Sequence, residues 1–260
     1  MIEVLHLSKS FQEREVLHDI CVQFEPGKTN LIIGQSGSGK TVLMKCLIGL
    51  YTANQGKILY NNRDFGQLGK KDRMLLTQEM GVLFQGGALF DSMTVKENVL
   101  FPLLMHSNLS EAEQMERVEF CLNRVNLYQS SELYPSQISG GMKKRVAIAR
   151  AIALNPKYLF CDEPNSGLDP KTSLLIDELI YEITAEYGIT TVVNTHDMNS
   201  VMEIGDTISF IYEGKLWWRG SNEDILSADN KEIIDFIYTS KFTKELYKIH
   251  HKSVVSAINY

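Results

Sequence analysis

Apolar and polar residues alternate along Ile2 to Leu7, and again at Ile20, Val22 and Phe24, the period of strands with one buried face. Thr29 to Ile33 is instead a short apolar run that ends at a glycine, the pattern of a buried strand feeding a loop. Lys40 to Leu50 reads as a helix, and Gly56 to Tyr60 and Met80 to Phe84 as two more short strands. The period then changes. Thr94 with Glu97, and Ser110 with Glu113, stand at capping-box spacing, and Met115, Val118, Leu122 and Val125 follow at helical intervals. Strand signals return at Tyr158 to Cys161, Thr190 to Val193 and Ile208 to Tyr212, with helices between. Strands alternating with helices predict a mainly parallel sheet.

The expected organisation is an α/β domain over 1–240, with a core formed by 1–85 and 156–225 and a helical insertion over 86–155. Ile233, Ile234, Phe236 and Ile237 suggest a short amphipathic helix. A tail over 241–260 carries Phe242, Leu246, Tyr247, Ile249 and the Val254-Val255 pair, and either packs on its own domain or contacts a second copy.

Composition narrows this picture. The 260 residues are 44% hydrophobic and 22% charged, enough for an ordinary core. The net charge of −6 disfavours a nucleic-acid partner, which would call for a basic surface. Cys21, Cys46, Cys121 and Cys161 lack metal-site spacing and read as buried, reduced thiols. The opening MIEVLHLSKSF lacks the basic-then-apolar form of a signal peptide, and no uncharged apolar run approaches the ~18 residues of a spanning helix. The expectation is a soluble chain whose membrane link comes through a partner.

The candidate chemistry begins at Gly34-Gln35-Ser36-Gly37-Ser38-Gly39-Lys40-Thr41, a GxxxxGK[ST] loop between a strand and a helix. Its glycines let backbone N–H groups turn inward around phosphate oxygens, and the following helix offers its positive end. Lys40 would reach the β- and γ-phosphates and Thr41 would ligate Mg²⁺. Tyr158-Leu159-Phe160-Cys161 ends in Asp162 and Glu163. Alone, two acids closing a strand would be a solvated cap; beside the phosphate loop they read as a metal support and a water-polarising base.

Further motifs follow in order. Gln85 ends a strand; Ser139-Gly140-Gly141 opens a helix with Lys143, Lys144 and Arg145; Ser166-Gly167-Leu168-Asp169 follows Asp162-Glu163-Pro164; His196 follows a strand; Phe11 lies 23 residues before Gly34. Across nearly its whole length the chain resembles the ATP-binding subunits of ABC transporters. The resemblance implies a P-loop ATPase fold with an N-terminal antiparallel β subdomain and an inserted helical subdomain. It implies ATP and Mg²⁺, with nucleotide contacts from Phe11, Gly34, Gln35, Ser36, Gly37, Ser38, Gly39, Lys40, Thr41, Val42, Ser139, Gly140, Gly141 and Asp169. Thr41, Gln85 and Asp162 would approach the metal, Glu163 would be the general base, and Gln85 and His196 would complete the catalytic set. It further implies a sandwich of two such subunits around two nucleotides.

Two residues depart from the family pattern: Met142 stands where the signature ends in glutamine, and Asn165 replaces the commoner Thr or Ala. The run Phe84 to Asn98 looks like the Mce-associated, Mla-like ATPases, which drive phospholipid or other hydrophobic lipid between bacterial membranes. That likeness implies a permease docking near Gln85, an Mce-type lipid-binding partner, and a place on the inner face of the bacterial inner membrane. Gly86 and Gly87 would let the loop move. Leu89 and Phe90 would line a groove for the permease or pack into their own helical block. A small-solute importer is the alternative reading. A non-transport ABC protein acting on DNA or ribosomes is disfavoured by the acidic charge, and a catalytically silent regulator by the intact Glu163 and His196.

Overall fold

The N-terminal alternation builds a hairpin of β1 (Ile2–Phe11) and β2 (Arg14–Phe24), whose inward residues Ile2, Val4, Leu7, Leu17, Ile20, Val22 and Phe24 are all buried. The computed structural model describes residues 1–238. After β3 (Thr29–Ile33) and α1 (Lys40–Leu47), β4 (Gln55–Tyr60) and the short β5 (Arg63–Asp64) complete an antiparallel sheet in the order β2-β1-β4-β5. Then come α2 (Lys70–Gln78), β6 (Met80–Leu83), and the helices α3 (Val95–His106), α4 (Glu111–Arg124) and α5 (Gly140–Ile152). The chain continues through β7 (Tyr158–Asp162), α6 (Pro170–Tyr187), β8 (Thr190–Asn194), α7 (Met198–Ile204), β9 (Thr207–Tyr212), β10 (Lys215–Gly220), α8 (Asn222–Leu226) and α9 (Lys231–Ile237).

The second sheet has the order β10-β9-β3-β8-β7-β6. Its neighbours from β9 to β6 run parallel, and β10 alone is antiparallel. A parallel sheet is covered on both faces, so its strands read as continuous apolar runs. Ile32, Phe160, Val192 and Ile211 face the antiparallel sheet and α1, while Leu31, Ile33, Leu159, Cys161 and Val193 face the core built with α3 to α6. Both capping boxes form: Thr94 and Ser110 cap α3 and α4, each with its glutamate bonded back.

Several expectations shift. The first helix ends at Leu47 rather than Leu50, and Gly49 turns the chain at φ 77°. The pattern gave no sign of α2, where Leu76 alone is buried, or of the edge strand β10. Cys46, Cys121 and Cys161 are buried, but Cys21 lies on the outer face of β2 and is exposed; all four thiols are free. Burial pushes Cys46 and Cys121 up to about 11. The amphipathic helix appears as α9. Ile233 is buried, and Ile234, Phe236 and Ile237 pack on the chain's own core, with the Phe236 ring 5.3 Å from that of Phe210. Phe242, Leu246, Tyr247, Ile249, Val254 and Val255, and with them the tail over 241–260, lie outside the described residues. Among the described residues no helix is long and apolar enough to cross a membrane.

Candidate active site

Parallel strands deliver the loops at their C-terminal ends to one edge of the sheet, where doubly wound folds bind ligands. Here β3, β8 and β7 lie side by side, and their ends carry Gly34, Asn194 and Asp162. β3 leaves the sheet through Gly34 and enters α1 after Gly39. Gly39 caps α1 at φ 109°, and a Cβ there would stand 2.8 Å from Leu17 Cδ2. Only glycine fits both demands. Gln35, Ser36 and Gly37 are exposed, and Val42 is half-buried against the β-subdomain core.

Lys40 is buried, and its ammonium donates to the carbonyls of Gly34 (2.8 Å) and Gln35 (3.0 Å). Burial lowers its pKa against the opposing pull of Glu163 and Asp162. The buried Ser38 hydroxyl has no hydrogen-bond partner. A spare hydroxyl beside a buried ammonium is a donor set suited to phosphate oxygens. Arg14, His18, Gln35, Ser38, Tyr212 and Gly214 border a cleft of about 330 Å³. Phe11 is not brought to this cleft. Its 39%-exposed ring meets Tyr51 edge-on at 5.1 Å, and Lys9 Nζ sits 4.9 Å from its centroid.

Three loops converge on Glu163, which adopts a left-handed φ of 47°, a conformation of the kind stored at functional sites. Its Oε2 accepts from Gln85 Nε2 at 2.7 Å, and its Oε1 lies 3.2 Å from His196 Nδ1. Gln85 also reaches Ser166 Oγ at 3.3 Å. Behind this row, Asn194 donates from Nδ2 to Asp162 Oδ1 and to Thr41 Oγ1 (3.3 Å). Burial raises the Asp162 pKa, with the Asn194 bond opposing. A hydroxyl and a carboxylate held together by one amide form an all-oxygen set, which fits Mg²⁺ and not a soft metal.

The helix start at Ser139 to Gly141 lies apart from this row. Ser139 Oγ caps α5 by accepting from Met142 N at 3.2 Å. Gly141 is buried, and a Cβ there would stand 2.5 Å from Thr172 Cγ2, so α5 and α6 meet closely at this point. Met142 turns toward the helical core, where an apolar residue suits. Asp169 caps α6, with both carboxylate oxygens engaged by Thr172 at 3.1 and 2.5 Å. Beneath it, Asn165 donates to Ser200 Oγ (3.0 Å), which donates to buried Asp177 (2.8 Å).

Cations of α5 hold the loop that follows Gln85. The buried Lys144 donates to the Gln85 carbonyl and to that of Glu163 (3.4 Å). Arg150 donates to the carbonyls of Gly87 (2.7 Å) and Ala88 (2.8 Å). Left-handed backbone falls at Gly87 (φ 74°) and Ala88 (φ 48°), not at Gly86. Asn98, fully buried, donates to the carbonyls of Phe90, Met93 and Thr94 and accepts from Phe90 N. Leu89 packs toward the core, whereas Phe90 is 41% exposed with its ring 4.9 Å from that of Phe101. Phe84, Phe90, Phe101, Pro102, Arg150 and Leu154 line a groove of about 430 Å³.

Comparison with known proteins decides the family, because the ABC transporter family matches residues 17–166. The chain belongs to the ABC transporter ATP-binding family. It is an ATPase of that family. A probable ribonucleotide transport ATP-binding protein, mkl, of Mycobacterium leprae is 36% identical over 91% of this chain and 68% of its own length. The chain thus spans about two thirds of that relative. The methionine import ATP-binding protein MetN of Campylobacter jejuni is 34% identical over 94% of this chain and 78% of its own. The intermembrane phospholipid transport system ATP-binding protein MlaF of Haemophilus influenzae is 35% identical over 91% of this chain and 90% of its own. Among solved structures, the ABC cassette MJ0796, a dimer in a post-hydrolysis state bound to ADP and Pi, superposes with TM-score 0.77. It is 29% identical over 85% of this chain and 99% of that one.

Every member of the glutamate row is marked by a sequence motif. Asn194, Asn98 and Arg150 are not, and Lys144 is marked only as part of the signature helix. A polar residue closing the β-branched run Thr190 to Val193 was the one available signal for Asn194.

Proposed function

We propose that this ATPase powers the movement of phospholipid or another hydrophobic lipid between bacterial membranes, docked on a permease at the inner face of the inner membrane. The observation that carries the catalytic half is the row Gln85–Glu163–His196, assembled from three separate loops. Glu163 is the general base: each oxygen is oriented by a neighbour and keeps lone pairs for a water. Lys40 neutralises β/γ-phosphate charge, and His196 contacts the γ-phosphate. Thr41, Asp162 and Gln85 would hold Mg²⁺, which when bound would offset the charge of the phosphate oxygens. The α5 start at Ser139, Gly140 and Gly141 has free N–H groups and serves the ATP of a second copy in a sandwich dimer. Asp169, exposed and capping α6, is placed with that second nucleotide as well.

The cargo half rests on the MlaF relative, whose alignment takes in nine tenths of both chains, and on the groove beside Phe90. That groove suits a short permease helix with an apolar face. An Mce-type protein would then carry the lipid. The MetN relative supports the alternative of a small-solute importer. Purification with membrane partners, followed by ATPase assays in vesicles, separates the two. Lipid-dependent stimulation and lipid transfer are expected; stimulation by methionine without lipid transfer refutes the lipid reading. Phe90→Ala should reduce partner-stimulated turnover while leaving unstimulated turnover and folding intact. Undiminished stimulation with normal assembly would remove Phe90 from the docking surface.

A further inference from the structure

Asn194 is the last residue of β8, flanked by β3 on one side and β7 on the other. It is level with Ile32 in one neighbour and Asp162 in the other. Its relative exposure is 0%. A buried amide is tolerated only when its polar atoms are used. Here Nδ2 is used twice, on Asp162 Oδ1 and Thr41 Oγ1, while Oδ1 is buried with no partner. The orientation of the amide is set by the carboxylate, which requires a donor facing it. The backbone is also committed, because the Asn194 carbonyl accepts from Glu163 N at 2.9 Å.

One side chain thus bridges the loop after β3 and the acid that ends β7, the two places that supply oxygen to a metal. We infer that Asn194 is a positioning residue for the Mg²⁺ of the bound nucleotide, an inference that rests on the proposed roles of Thr41 and Asp162. It fixes the spacing of the two oxygens and leaves the remaining lone pairs of each free to face the cation. A valine or leucine would fill this strand end equally well and would leave both oxygens unguided. The identity of the residue therefore sets the cation requirement rather than the fold.

The test is binding of a fluorescent ATP analogue titrated with Mg²⁺, alongside the same binding in EDTA, and of Mn²⁺ followed by electron paramagnetic resonance. Asn194→Val suits a β-branched strand; Asn194→Thr, which keeps a hydroxyl, is the second variant. Wild-type binding should strengthen with Mg²⁺. In Asn194→Val the Mg²⁺ needed for half-maximal effect should rise roughly tenfold or more, the usual consequence of losing an outer-shell partner. EDTA binding should stay within about twofold, since Asn194 does not contact the nucleotide directly in this account. Asn194→Thr should fall between. A folded variant with an unchanged Mg²⁺ titration overturns the inference. A wild-type protein indifferent to Mg²⁺ refutes the metal site at Thr41 and Asp162, and the role of Asn194 with it.

Discussion

Asp177 lies in α6 beneath the loop that follows Glu163, is 1% exposed, and has one oxygen without any partner. Burial pushes its carboxyl up from 3.8 to about 6, against the smaller opposing effects of Ser200 and Asn165. The sign of the linkage follows. The folded chain holds the proton more tightly than the unfolded one, so the stability tied to this group is greatest below pH ~4. It falls as the pH rises toward the folded pKa of about 6 and is level above that. A shift of about 2 units is worth about 3 kcal/mol, at 1.36 kcal/mol per unit. Asp177→Asn keeps an oxygen to accept from Ser200 and cannot ionise. Relative to wild type, the variant should therefore gain stability with pH, by about 3 kcal/mol in full and by roughly half of that between pH 5 and 8. Urea unfolding of both proteins at pH 5, 6, 7 and 8 measures the difference directly. A gap that stays constant across that range would mean Asp177 is ionised in the folded state throughout, and the reasoning fails.

Glu163→Gln should lower ATP turnover by about 10²–10⁴-fold, the usual worth of a general base, and leave an ATP-bound dimer visible by size exclusion. Near-normal turnover would refute the base assignment. Lys144→Met leaves the part-buried Gln85 carbonyl without its donor, so it should destabilise by about 1–3 kcal/mol and lower turnover by displacing the loop that carries Gln85. Unfolding midpoints and steady-state ATPase rates check the two halves. Asn98→Ala strips four hydrogen bonds from the turn between Phe90 and Thr94, a cost of about 2–4 kcal/mol read from urea midpoints.

The sheet and the helical insertion were legible because β3, β7 and β8 are buried on both faces and read as apolar runs, while α3 and α4 announce themselves by capping boxes. α2 escaped notice for the opposite reason: with Leu76 as its one buried residue it has no apolar stripe to recognise. Cys21 was misplaced because an apolar neighbourhood in sequence says less than the alternation of β2, which turns it outward between Ile20 and Val22. The phosphate loop and the glutamate row are marked by motifs. Their supports are not: Asn194 and Asp162 are 32 residues apart, and only the parallel register of β7 and β8 sets them level. Arg150 meets the loop after Gln85 across more than 60 residues, a contact no local pattern encodes. Phe11 is singled out by its place along the chain, and its exposed ring meets Tyr51 and Lys9.

The helix α5 begins at the Ser139 cap and ends beneath the groove, where Arg150, Ala151 and Leu154 form part of the floor. Its 13 residues make a rod of about 20 Å. A small molecule wedged into that groove would press on one end of the rod, outside the cleft that Ser38 borders. An inhibitor acting there would have no ATP to compete with. Escape from it through Arg150 would be penalised, because the same guanidinium secures Gly87 and Ala88 and so the loop that carries Gln85.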